Sequence, residues 1–206
     1  NSGYADDSVF GSCRPATPQS CRADGAFAGQ PIPPATGEKF RSETDWSDGG
    51  PVALSLTRTY RSSWGNDTSR TSAGLGRAWT HDHDWRLAAS PASTPTSVSI
   101  VTPEGYLRSF TRPVGATAWT ATQGADVLSQ VGGAWVWHRA DDDAVFNFDG
   151  NGKLQTRVER GGFSFAYAYD ASGRLVTVGN GFGRTLIFGY NGAGQITNVT
   201  TPDGRV

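Results

Sequence analysis

Two histidines two residues apart, His81 and His83, stand in the run Thr80-His81-Asp82-His83-Asp84-Trp85. Read as part of a strand from Thr80 to Leu87, the run puts both imidazoles on one face and Asp82 and Asp84 on the other. A His-x-His pair on a strand can offer two ligands to a zinc-like ion. A closed site also needs ligands from a neighbouring strand, and the sequence names none. Packing or hydrogen bonding beside Trp79 and Trp85 is the plainer expectation, so no metal and no cofactor are assigned. Asp141-Asp142-Asp143 can be weighed as a calcium or acid–base cluster. Consecutive residues point apart and no Gly-spaced oxygen pattern follows, so the run reads as a solvated turn. Asp149-Gly150-Asn151-Gly152 resembles part of a calcium loop, but 170–173 and 191–194 lose the ligand pattern and turn chemistry explains all three. No Gly-x-Ser-x-Gly elbow occurs. Gly179-Asn180-Gly181-Phe182-Gly183-Arg184 has alternating glycines but no following helix, so it reads as a looser turn and not a phosphate cradle. No catalytic residue is expected.

The elements that hold these residues repeat. Phe148-Asp149-Gly150-Asn151-Gly152-Lys153-Leu154 returns as Tyr169-Asp170-Ala171-Ser172-Gly173-Arg174-Leu175, and again as Tyr190-Asn191-Gly192-Ala193-Gly194-Gln195-Ile196, with a spacing of 21 both times. Gly162, Gly183 and Gly204 keep the same spacing, as do Phe146, Tyr167 and Phe188. Fixed self-similarity means that one supersecondary unit is stacked. Within a unit, Phe163, Phe165, Tyr167 and Tyr169 alternate with Ser164, Ala166, Ala168 and Asp170, the period of a strand with one aromatic face. Asp170-Ala171-Ser172-Gly173 is a tight turn and Arg174 to Val178 a return strand. Each unit is therefore a β-hairpin, marginal alone, whose neighbours bury its aromatic face. The aromatic rows, with Leu186, Phe188 and Tyr190, can stack sugars or bases, yet a shared two-residue period reads first as core. Thr102-Pro103-Glu104-Gly105 matches Thr201-Pro202-Asp203-Gly204, and Trp135–His138 with Val145–Phe148 reads as a degenerate unit.

Upstream, Val52, Leu54, Leu56 and Tyr60 are expected on one strand face. Three regions follow: an irregular, Pro-rich arm over 1–35, a β-rich lead-in over 36–97, and hairpin repeats over 98–206, clearest from 141 onward. Cys13 and Cys21 are the only cysteines, close together in the arm. They form either a small disulfide loop in an exported protein or two unrelated thiols, and their proximity favours the disulfide. The high count of Gly (27), with frequent aromatic and β-branched residues and no long helical pattern, points to an all-β protein of antiparallel hairpins laid side by side in a curved, twisted sheet. A net charge of −1 gives no field for nucleic acid. No apolar run approaches the ~18 residues of a membrane span. There is no Met and the chain starts at Asn1, so it is read as a processed or excised piece.

Tyr169-Asp170-x-x-Gly173-Arg174-Leu175 resembles the hallmark of the RHS/YD-repeat proteins (rearrangement hot spot). Ala35 to Phe40, Glu43-Thr44-Asp45-Trp46, Leu54 to Tyr60, Gly74 to Trp79 and Asp84 to Leu87 are similar to the segment that precedes the repeats in that family. The resemblance covers roughly 30–206. It implies an N-terminal, non-catalytic piece of a secreted or cell-surface protein, bacterial in source, that contributes the first turns of a β-shell enclosing a C-terminal toxin. Implied partners are the remaining repeats and that toxin domain, with strand addition or self-association at the open edge after Thr201–Val206. The alternative is a β module that binds carbohydrate or a cell-surface partner through exposed aromatics such as Tyr167 or Trp135. The residues expected to carry the scaffold are Phe148, Tyr169 and Tyr190, the turn residues Asp149, Asp170 and Asn191, and Gly152, Gly162, Gly173, Gly183, Gly194 and Gly204.

Overall fold

The computed structural model describes residues 37–206 apart from Pro51, Ser69 and Thr71. The 1–35 arm and the Cys13–Cys21 pairing lie outside the described residues. The chain is all-β, with fifteen strands among the described residues and one short 3-10 helix, Ser62–Asn66. It divides into two compact units. The first takes in the described residues up to Trp46, then Ser55–Asp84 and Thr102–Leu107; the second takes in Ser47–Leu54, Trp85–Val101 and Arg108–Val206.

The first unit is built on a three-stranded sheet of β1 (Phe40–Ser47), β2 (Ser55–Arg61) and β3 (Trp79–His81). Its inward residues differ from the alternation expected upstream. Leu54 is buried, but in β2 the buried side chains are Thr59 and Arg61, with Leu56 and Tyr60 half-exposed. A buried charge needs a partner, and Arg61 has one. Its Nη2 lies 2.5 Å from Glu38 Oε2, and its Nη1 donates to the Glu104 carbonyl at 3.0 Å. Tyr60 instead pairs across the ladder with Trp79, their ring centroids 5.2 Å apart.

The strand expected from Thr80 to Leu87 is two strands. The Asp82 N–H still bonds the Thr57 carbonyl as the last rung of the β2–β3 ladder, but the Asp84 N–H bonds the His81 carbonyl at 2.9 Å, which closes a turn after β3. The chain resumes as β4 (Arg86–Ser90). With β5 (Ser97–Val101), β6 (Leu107–Thr111) and β7 (Thr120–Ala121) it forms a four-stranded antiparallel sheet.

The repeats form an eight-stranded antiparallel sheet whose strands lie in sequence order. These are β8 (Val127–Val131), β9 (Ala134–Arg139), β10 (Ala144–Phe148), β11 (Leu154–Val158), β12 (Ser164–Tyr169), β13 (Leu175–Asn180), β14 (Thr185–Tyr190) and β15 (Ile196–Thr200). The stretch read as one array from 98 is thus shared between two sheets. Tyr167, Val178 and Leu186 are cross-strand neighbours and all are buried. Trp137 stacks on its partner Phe146 at 4.6 Å, and Trp85 meets the same ring at 4.6 Å. Ser164, Ala166 and Ala168 face solvent, as the alternation requires. Phe163 departs from its row. It precedes β12, is 42% exposed, and lies 5.7 Å from Phe182, itself 55% exposed.

Candidate functional site

The residues with repeat spacing meet at the ends of the hairpins. In the Asp170 turn, the Asp170 N–H donates to the Arg174 carbonyl and the Gly173 N–H to the Asp170 carbonyl. Asp170 Oδ1 accepts the N–H groups of Ser172 and Arg174, both at 2.9 Å. This is a tight turn closed by a left-handed glycine, with the side chain of its first residue satisfying two backbone donors. The Asp149 and Asn191 turns repeat every one of these bonds.

The stretch expected as a looser turn belongs to the same class. Gly179 and Asn180 complete β13, and Asn180 to Gly183 carries the identical backbone bonds, with Asn180 Oδ1 accepting from Phe182 and Arg184. An amide oxygen does here what a carboxylate does at Asp170. Thr201 and Thr102 start turns of the same form through their hydroxyl oxygens. The 21-residue unit is therefore two near-equal halves. Its glycines at 152, 162, 173, 183, 194 and 204 step by ten and eleven in alternation.

The ring residues link one unit to the next. Phe148, Tyr169 and Tyr190 face Leu154, Leu175 and Ile196 across the ladder, and in each pair the register shifts there. The shift marks a bulge that lets Leu175 share a face with Val178, although an unbroken strand would separate them. The Tyr169 hydroxyl donates to the Leu154 carbonyl at 2.9 Å and the Tyr190 hydroxyl to the Leu175 carbonyl at 2.7 Å. Each hydroxyl thus reaches back to the previous unit. Lys153 lies 5.3 Å from the Tyr169 ring and Arg174 lies 4.9 Å from the Tyr190 ring. The sequence carries this signal as Lys153, Arg174 and Gln195 in one register, and the absence of a cation at 195 is visible there.

The other candidates are brought together differently. His81 and His83 are both buried, with ring centroids 6.2 Å apart. The His83 N–H donates to His81 Nδ1 at 3.3 Å, and His83 Nε2 lies 2.8 Å from the Ser55 carbonyl. The two rings therefore brace the turn after β3. Among the described residues no three His, Cys, Asp or Glu side chains gather as a metal site. In the acidic run, Asp141 pairs with Arg108, Asp142 with Arg139 at 2.5 Å, and Asp143 with His138 at 3.3 Å. The Arg139 hydrogen bond holds the Asp142 carboxyl below its usual range. Tyr167 and Trp135 are only 4% and 2% exposed, so a binding face built from them is not on the surface. No helix among the described residues is long and apolar enough to cross a membrane.

Residues 29–110 match a family described as a domain of unknown function (DUF6531), and residues 148–185 and 169–206 match the RHS Repeat. The two repeat matches begin at the ring residues Phe148 and Tyr169. No curated protein matches the chain.

Proposed function

The chain is an RHS/YD-repeat protein, and from that premise we propose that it is a structural, non-catalytic wall segment of an exported protein. It supplies the first turns of a β-shell around a C-terminal toxin, and the remaining repeats continue the sheet beyond β15. The observation that carries this reading is the link between units: a tyrosine hydroxyl of one hairpin bonds the carbonyl of the hairpin before it, twice, in the same register. Such a link lets each unit template the next without any contact outside the sheet. A secreted or cell-surface location follows from the same reading.

The test uses the full-length protein. Its C-terminal segment is digested with protease in the intact protein and as a separately expressed fragment. Survival in the intact protein at doses that destroy the fragment is the expected result. Equal cleavage rates overturn the enclosure.

A further inference from the structure

Arg174 and Arg184 occupy the same place in successive turns but find different anions. Arg174 pairs within its own turn, Nη2 to Asp170 Oδ2 at 2.7 Å. The turn holding Arg184 starts with Asn180, which caps the backbone equally well but carries no charge and keeps an amide N–H to donate. Both unused capacities are met by one distant segment. Arg184 Nη1 lies 2.5 Å from Asp48 Oδ2, and Asn180 Nδ2 donates to the Val52 carbonyl at 3.3 Å, across 128 residues of sequence.

That segment, Ser47–Leu54, belongs to the same unit as the repeats. It is braced for the purpose. The Asp48 N–H donates to the Leu54 carbonyl at 3.1 Å, Asp48 Oδ1 accepts the Gly50 N–H at 3.3 Å, and Leu54 is fully buried. Gly50 lies so close that an added Cβ would stand 3.3 Å from the Arg184 guanidinium. Val52 sits at φ 56°, a left-handed conformation that β-branched residues avoid. Such strain persists only where surrounding contacts over-determine it. Asp48 is mostly enclosed, with 10% of its side chain accessible, so its pairing is less exposed to screening than an ordinary surface ion pair.

We propose that Asn180 and Arg184 form a docking turn, and that Ser47–Leu54 is the strap it receives. The clasp holds Ser47–Leu54 against one chosen turn of the repeat sheet, within the unit that contains both. The choice is made by Asn in place of Asp: an acid at 180 would keep Arg184 for its own turn, as at 170, and would repel Asp48.

The test is amide hydrogen exchange on the whole chain for wild type, Asn180→Asp and Asp48→Asn. Asn180→Asp preserves the turn, because Asp170 shows that an acid caps it. The expected result is about tenfold faster exchange of the amides of 48–50 and 52–54 in both variants, a weight between that of an exposed and a buried ion pair. The Phe182 and Arg184 amides stay protected, and Arg174→Gln leaves 48–54 unchanged. Unaltered 48–54 exchange in the two variants overturns the clasp, and so does loss of strap and turn together.

Discussion

At the scale of single residues, the repeat glycines share a conformation but not a setting. Gly152 and Gly194 stand at φ 78° and 76°. A Cβ added at Gly194 would meet nothing within 4 Å, whereas at Gly152 it would lie 1.9 Å from the Leu87 carbonyl oxygen. That carbonyl belongs to β4, whose Leu87 N–H also donates to the Gly152 carbonyl at 3.2 Å. Gly194→Ala should cost about 1–2 kcal/mol, the penalty of a left-handed L-residue. Gly152→Ala must in addition push a strand aside, and should cost more than about 3 kcal/mol. Urea unfolding of the two variants measures the difference, and equal costs would remove the close approach at Gly152. The spacing of these glycines was legible in the sequence; the crowding was not, because Leu87 comes from a different sheet. His81 and His83 read as a same-face pair on one strand. The strand is ended by a local turn bond from the Asp84 N–H to the His81 carbonyl, just beyond the last rung to Thr57, and the two-residue alternation alone does not mark that point.

At the scale of elements, one turn design recurs with interchangeable first residues, and the substitutions decide what each turn does besides turning. Asp170 is held below the usual carboxylate range, first by the Arg174 backbone N–H and then by the Arg174 side chain. A carboxyl depressed in the folded state contributes stability that is fully present above its unfolded value, near pH 4, and that is lost as pH falls through the folded value. Asp142 and Asp203 are lowered in the same way, by Arg139 and by Thr201 respectively. The thermal midpoint should therefore fall as the pH drops below about 4. Asp170→Asn keeps the turn, as Asn180 and Asn191 demonstrate, and should leave a shallower acid limb than wild type. Melting curves taken over that range check this; an unchanged slope would mean that Asp170 adds nothing beyond its neighbours. The hairpins themselves were readable from the two-residue period and the 21-residue echo. The half-unit was not, because Asn180-Gly181-Phe182-Gly183 shares only its glycine and its polar first residue with Asp170-Ala171-Ser172-Gly173. Neither were the inward Thr59 and Arg61 of β2, since hydropathy cannot anticipate that a buried carboxylate, Glu38, waits for the guanidinium.

At the scale of the whole molecule, the repeat sheet is a one-dimensional stack, and the burial of its inward residues falls at the β15 end. Leu154 and Leu175 are buried, while Ile196, next in the series, is only half-buried. Val178 is buried and Val199, one unit later, is half-buried. The Leu154 and Leu175 carbonyls each hold a tyrosine hydroxyl, and Ile196 stands in the corresponding place. Val206 aligns with Ser164 and Thr185 in the repeat, so a copy of the 165–185 segment fused directly after it continues in register. Stacking makes stability a sum of unit and neighbour terms. The added unit completes the burial of Ile196 and Val199, which should raise the unfolding free energy by about 2 kcal/mol. It should also slow hydrogen exchange along β15, which otherwise presents an open strand edge. The duplicated tyrosine carries a defined share: replacing it with phenylalanine in the copy alone should return about 1 kcal/mol of the gain. A fused chain whose midpoint and β15 exchange match those of the parent would show that the hairpins do not template one another, and the wall would have to be assembled by contacts other than the tyrosine links.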